Sequence, residues 1–161
     1  MHEKELTLAK KVVITYGTFD LFHIGHLKLL KRLSKLGDKL IVAVSTDRFN
    51  EKKGKKTIIP YKQRVEIIKS IKYVDKVIPE KSWDQKVNDV TKHDVTIFAI
   101  GKDWEGKFDF LKEYCEVIYL ERTQGISSTK LKKTLHNLST INPNDIKTAF
   151  EILKRIKNDL E

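Results

Sequence analysis

Apolar residues gather into five short, nearly continuous runs: Val12–Tyr16, Leu40–Ser45, Val74–Ile78, Val95–Ile100 and Val117–Leu120. They are rich in β-branched and aromatic residues and show little polar alternation, the pattern of strands covered on both faces. Between them the period changes. Leu27, Leu29, Leu30, Leu33 and Leu36 follow the first run at helical spacing, and Val65, Ile67, Ile68 and Ile71 precede the third. Strands alternating with helices predict βαβ units with right-handed crossovers, hence an α/β fold with a five-stranded parallel sheet flanked by helices. A further helix is expected at the end of the chain. Asn142 is placed to cap it, Pro143 to sit in its first turn, and Ile146, Ala149, Phe150, Leu153, Ile156 and Leu160 to form one apolar stripe. That stripe suits packing on the domain or on a second subunit better than it suits chemistry. The expected organisation is an N-terminal extension over residues 1–10, a main domain over 11–135 and a C-terminal helical extension over 136–161.

Composition narrows the class. The chain of 161 residues is long enough for one domain with its own core. No apolar stretch approaches the roughly 20 residues that cross a bilayer, and Met1–Lys10 lacks the apolar run of a signal peptide. Cys115 is alone, which excludes an internal disulfide and disfavours a cysteine-based zinc site. These features lead to the expectation of a cytoplasmic protein that is not held in a membrane. A formal charge of +10, from 32 Lys and Arg against 22 Asp and Glu, favours anionic partners without choosing among them.

In a parallel sheet, ligands bind outside the carboxyl ends of the strands. The loops there are Gly17–Gly25, Thr46–Pro60, Pro79–Trp83, Gly101–Gly106 and Glu121–Ser128, and they hold most of the unusual residues. The first reads Gly17-Thr18-Phe19-Asp20-Leu21-Phe22-His23-Ile24-Gly25-His26 and runs from strand to helix. A helix start offers free backbone N–H groups to a phosphate, and Gly25 removes a side chain where a ligand must come close. His23 and His26 could face the same side and donate to a phosphate whose charge grows during reaction. Two histidines at a helix start without a ligand, or a metal pair, are the alternatives. His2, His93 and His136 form no cluster that would complete a metal site.

A second loop of this type is Arg122-Thr123-Gln124-Gly125-Ile126-Ser127-Ser128-Thr129-Lys130. Gly125 permits a tight turn, the hydroxyls stand at a helix start, and Arg122 brings a fork of donors suited to phosphate. An ordinary serine cap beside a surface arginine is the plain alternative. Lys52-Lys53-Gly54-Lys55-Lys56 reads either as a mobile cationic flap or as a solvated lysine loop. Gly101-Lys102-Asp103-Trp104-Glu105-Gly106-Lys107-Phe108 imitates the spacing of a P-loop, but Phe108 stands where a hydroxyl must bind Mg²⁺, and that reading fails.

Tyr16-Gly17-Thr18-Phe19-Asp20 with His23-Ile24-Gly25-His26 resembles the cytidylyltransferase branch of the nucleotidyltransferases that carry a His-x-Gly-His motif. The run from Arg122 to Thr129 is similar to the second signature of that branch, with Ser128 where a threonine is frequent. Asp103 to Leu111 looks like the members that act on glycerol 3-phosphate. The resemblance spans about Lys11 to Leu135. It implies a Rossmann-like fold and transfer of CMP from CTP to glycerol 3-phosphate, giving CDP-glycerol and pyrophosphate. It also implies a Mg²⁺ cofactor with no firm protein side-chain ligand, a homodimer, and supply to teichoic-acid or capsule-type polymers. The residues it assigns to nucleotide are Thr18, Phe19, His23, Gly25, His26, Lys55, Gly101, Asp103, Trp104, Arg122, Thr123, Gly125, Ile126, Ser127, Ser128 and Thr129. His23, His26, Lys53 and Arg122 would be catalytic, and Lys53, Arg64, Lys72, Trp83 and Lys86 would hold the acceptor. At Lys72 the family usually has arginine, so charge is kept and the bidentate fork is lost.

Other acceptors of the same chemical type remain open: phosphoethanolamine, phosphocholine or a sugar phosphate. The sequence shows no evident aromatic cage for a quaternary amine, which counts mildly against choline. An adenylyltransferase of the same superfamily is a further rival, opposed only by the resemblance of the Asp103-Trp104 loop. A basic nucleic-acid binder is the rival of a different class, although the lysines are spread along the chain and no nucleic-acid motif is present.

Overall fold

The computed structural model describes residues 10–140 and 142–160. All of the expected N-terminal extension except Lys10 therefore lies outside the described residues. Five strands form one parallel sheet: β1 (Val12–Gly17), β2 (Lys39–Ser45), β3 (Lys76–Glu80), β4 (Ile97–Gly101) and β5 (Glu116–Leu120), in the order β3-β2-β1-β4-β5. The chain winds outward from β1 in one direction and restarts at β4 in the other, so the order reverses between β1 and β4. That reversal opens a crevice at the carboxyl ends of these two strands.

Alternate strand residues face two separate cores. Val13, Leu40, Val42, Val44, Ile97 and Ala99 pack with Leu30 and Leu33 of α1 (Ile24–Ser34) and Ile68 of α3 (Tyr61–Lys69). Ile14, Tyr16, Ile41, Ala43, Phe98 and Ile100 pack on the other face with Val90 of α4 (Gln85–Lys92) and with Phe108 and Leu111. Burial on both faces explains the continuous apolar runs.

The third strand starts two residues later than the expected Val74. The Val74 N–H is spent on Ile71 O, and Asp75 is bonded through both backbone and side chain to the start of β2 at Leu40. Pro79 is tolerated inside β3 because this is an edge strand, where a missing N–H costs no ladder bond. The expected loop Thr46–Pro60 contains a short helix, α2 (Asp47–Lys52), capped by Thr46 Oγ1 accepting from the Phe49 N–H.

Residues up to Ile126 form one compact unit, and those from Ser127 form a second. The division expected after residue 135 falls inside α5 (Ser128–Ser139), a helix whose contacts group it with α6 (Pro143–Leu160). Helix α6 starts as its sequence predicts, with Asn142 Oδ1 accepting from the Asn144 N–H. Its stripe of Ile146, Phe150, Leu153 and Ile156 is exposed.

Candidate active site

Strand β1 delivers the first loop to the β1/β4 crevice. Phe19 and Leu21 hold positive φ values of 52° and 48°, a conformation that costs an L-residue energy and persists only when surroundings over-determine it. Phe19 is buried, and its ring lies so close to Gly17 that a Cβ there would meet it at 2.7 Å. Asp20 is buried and ties the loop to the chain beyond the lysine flap. Its Oδ1 accepts from the N–H groups of Leu21 and Ile59, and its Oδ2 from Ile58, at 2.8–3.1 Å. Thr18 Oγ1 donates to Asn50 Oδ1 at 2.9 Å.

Helix α1 is capped by histidine. Nδ1 of His23 accepts from the Gly25 N–H at 3.0 Å, and Nδ1 of His26 accepts from the His23 N–H at 3.4 Å. In a neutral imidazole one nitrogen accepts and the other donates, so both residues carry their proton on Nε2. The rings stack with centroids 3.9 Å apart. Burial, with His23 next to it, pushes His26 down to about 4, against a small opposing pull from Asp20. His23 is lowered too, by desolvation first and by the Arg122 guanidinium second. The pair is thus neutral near pH 7, with two Nε2–H donors, and His23 Nε2 is buried without a protein partner. A side chain at Gly25 would press on the His23 ring at 2.8 Å and on Ile126 at 3.2 Å, so glycine allows the close approach of these two segments.

The second loop contributes Arg122 and Ile126 to this neighbourhood. Arg122 pairs with Asp103 at 3.5 Å, linking the loops after β4 and β5. Gly125 takes φ 91°, the left-handed turn expected of it. Thr123 is half-buried. In the second unit, Ser127 caps α5 by accepting from the Lys130 N–H at 3.1 Å, and Ser128 and Thr129 occupy its first turn.

The lysines follow a different plan. Lys86 is 1% exposed and bonds Glu80 Oε1 at 2.8 Å, while Lys53 reaches Ser45 Oγ at 3.0 Å and Glu80 Oε2 at 3.6 Å. Ser45 Oγ also donates a short bond to Glu80 Oε2. Lys53 is lowered by desolvation, opposed by Glu80. Around them stand Tyr16, Phe49, Trp83, Trp104 and Phe108, with Trp83 and Trp104 centroids 5.5 Å apart. Lys55 lies 5.8 Å from the Trp104 ring. A cavity of about 570 Å³ opens beside them, lined by Trp83, Trp104, Phe108, Phe110, Lys107 and Asp84. Gly101 ends β4 at the head of this loop.

Three residues expected at the acceptor make other contacts in the structure. Arg64 is completely buried, and its guanidinium donates to Thr18 O, Ser45 O, Ile59 O and Asp47 Oδ1, so it knits loops together. Asp47, although burial alone raises it, is held below the usual carboxylate range by the Tyr61 N–H and the Arg64 guanidinium. Lys72 precedes β3, at the amino-terminal edge of the sheet, and lies over Tyr73 at 5.4 Å rather than beside the loops just described. A strand of β3's length separates the two ends by roughly 15 Å. Lys86 is no exposed hook for phosphate, because its ammonium is buried against Glu80. Sequence reasoning gave no role to Asp20, Ser45, Asp47 or Glu80, whose partners are distant in the chain. The sequence does not show these aromatics as a group, yet four separate segments bring the five rings together, Trp104 and Phe108 sharing one loop.

Among the described residues no group of three His, Cys, Asp or Glu side chains could hold a metal ion. No helix is long and apolar enough to cross a membrane.

Known proteins resemble the chain over most of its length. The model of the cytidylyltransferase-like family matches residues 14–134. Glycerol-3-phosphate cytidylyltransferase of Bacillus spizizenii is 61% identical over 128 residues, covering 80% of this chain and 99% of that protein. The enzyme of the same name from Staphylococcus aureus is 60% identical over 126 residues, covering 78% and 96%. Among solved structures, the lipopolysaccharide core biosynthesis protein of Thermoplasma volcanium aligns with a TM-score of 0.65 at 25% identity, over 71% of this chain and 99% of that one.

Proposed function

The chain belongs to the cytidylyltransferase-like family, and from that premise we propose that it transfers CMP from CTP to glycerol 3-phosphate. An oxygen of the acceptor phosphate attacks the α-phosphorus of CTP in line. The new P–O bond forms as the bond to the β-phosphate oxygen breaks, and pyrophosphate leaves with that electron pair. No protein nucleophile is required, so the protein's contribution is positioning and stabilisation of growing charge.

The observation that carries the reading is the neutral histidine stack at the start of α1, with its two Nε2–H donors and the unpartnered Nε2 of His23. Both imidazoles donate to the triphosphate while neutral and gain basicity as negative charge builds on it. Arg122, Thr123, Gly125, Ser127, Ser128 and Thr129 serve the departing phosphates in this proposal. Thr18, Phe19, Gly25, Lys55, Gly101, Asp103, Trp104 and Ile126 border the nucleotide. Lys53 and Trp83 stand at the acceptor. Among the described residues no His, Cys, Asp or Glu group would hold Mg²⁺, so the ion that the family resemblance implies would come with the nucleotide and would supply neutralisation of phosphate charge. A homodimer and a role in supplying teichoic-acid or capsule-type polymers from the cytoplasm complete the proposal, on the strength of the family resemblance.

The test is pyrophosphate release with CTP and Mg²⁺, offering glycerol 3-phosphate, phosphoethanolamine, phosphocholine and a sugar phosphate in parallel, with ATP as control. Release with CTP and glycerol 3-phosphate is expected. Release only with ATP, or none with any pair, overturns the reading.

A further inference from the structure

We propose that Lys53 and Lys86 fill the aromatic enclosure with the chain's own cations, so that the site accepts phosphorylated alcohols with an uncharged end and rejects those bearing an ammonium or trimethylammonium group. The inference rests on the transferase reading above and adds the selection it makes among acceptors.

An enclosure of this composition is the kind that binds quaternary ammonium ligands. Phe49 and Trp83 have centroids 5.3 Å apart, Trp83 and Phe108 6.4 Å, and Trp104 and Phe108 5.8 Å. Each of its rings already carries a lysine. The ammonium of Lys86 lies 4.4 Å from the Tyr16 centroid, 4.9 Å from Trp83 and 5.4 Å from Phe108. Lys53 lies 4.3 Å from Phe49 and 5.5 Å from Trp83. Lys55 and Lys107 attend Trp104 at 5.8 and 5.1 Å.

The buried carboxylates nearby are committed. Glu80 is shared by Lys53, Lys86 and Ser45. Asp89, on the far side of Tyr16, accepts from the Tyr16 hydroxyl at 2.8 Å and from Gln85 Nε2 at 2.7 Å. Neutral donors leave Asp89 its charge, and Asp84 lines the cavity, but Lys53, Lys55, Lys86 and Lys107 together outnumber Glu80, Asp84 and Asp89, which leaves the enclosure net positive. A third cation about 5 Å from either lysine is disfavoured by roughly a hundredfold at the effective dielectric of a protein site. A glycerol end meets no such penalty, and its phosphate is attracted by the same field. Tethered lysines also spare the protein the entropy of capturing a free cation.

Removing Lys86 turns the enclosure around. Tyr16, Trp83 and Phe108 lose their cation, and Glu80 is left to Lys53 alone, an arrangement suited to an ammonium ligand. The experiment compares kcat/KM for glycerol 3-phosphate, phosphoethanolamine and phosphocholine in wild type and Lys86→Ala, with folding checked by circular dichroism. Wild-type turnover of glycerol 3-phosphate is measured first, since its absence overturns the underlying reading. With that turnover in place, neither amine phosphate is expected to compete below about 100 times the KM for glycerol 3-phosphate. Competition within tenfold of that KM overturns this inference alone. In Lys86→Ala the ratio of kcat/KM for phosphoethanolamine to that for glycerol 3-phosphate is expected to rise at least roughly 30-fold, and an unchanged ratio in a folded variant overturns it. Should Lys86→Ala fail to fold, Lys86→Gln, which keeps a donor to Glu80, and the wild-type competition decide the question.

Discussion

In the turn after β1, two imidazoles three residues apart lie face to face with no carboxylate between them. In the enclosure on the opposite face of the sheet, two lysines from separate helical segments share the carboxylate of Glu80. Both places gather groups that can be cationic, and they handle charge in opposite ways. The histidines avoid it: burial and mutual proximity keep them neutral, and they answer the arrival of an anion by gaining basicity. The lysines keep it, because a buried counter-ion and aromatic faces replace the lost water. The first device responds to substrate, and the second presents a fixed field to it. A site that must bind two polyanions and then release two products uses both kinds.

The largest test of this contrast is His26→Ala. Turnover is expected to fall by about two to four orders of magnitude, the range for losing a positioned donor or proton-transfer group. The fold is expected to persist, because the core beneath α1 rests on Leu30 and Leu33. Steady-state pyrophosphate release with circular dichroism as control reads both, and near-normal turnover removes His26 from the mechanism. Glu80→Ala attacks the other device. It strands two buried ammonium groups, and urea unfolding is expected to show a loss of about 3–5 kcal/mol. A loss below about 1 kcal/mol would mean that the lysines shed their protons instead, and the fixed field would be lost from the account.

Acid separates the two regions again, with a smaller effect. His26 titrates at about 4 in the folded chain and near 6.5 unfolded. Between those values the unfolded chain binds a proton that the folded chain refuses. The contribution is therefore fully present above pH 6.5 and is lost as the pH falls through 4. On that shift, about 2–3 kcal/mol should disappear between pH 7.5 and 4.5. His26→Asn keeps an acceptor for the His23 N–H and should flatten that part of the slope, as measured by urea midpoints at the two pH values. An equally steep slope in the variant would assign it to other groups.

The same contrast explains what could be read from the chain. The turn after β1 was legible because its chemistry lies within ten consecutive residues and its position follows from a strand pattern buried on both faces. The enclosure was not, because Tyr16, Phe49, Trp83, Trp104 and Phe108 meet only after the sheet is ordered, and an aromatic at any one of these positions looks like core. Arg64 illustrates the same limit. Nothing in α3 distinguishes a side chain that binds an anion from one that donates to three carbonyls of neighbouring loops. The start of β3 was misplaced because Val74 fits a strand by type, while its N–H closes the turn after α3.

Asp103→Asn is the smallest perturbation and discriminates most finely between holding the fold and holding the ligand. Asp103 and Arg122 pair at 3.5 Å with both side chains more than 60% exposed, so the pair is mostly screened. Unfolding is expected to change by less than about 0.5 kcal/mol. The KM for CTP is nevertheless expected to rise several-fold, because the loops after β4 and β5 lose the link that sets Arg122 beside the histidine stack. Since Arg122 also helps to lower His23, a guanidinium released from Asp103 should alter the acid limb of the pH–rate profile. A change in unfolding with no change in KM would reverse the assignment, making the Asp103–Arg122 pair part of what holds the fold and leaving the nucleotide to the backbone groups of the two loops.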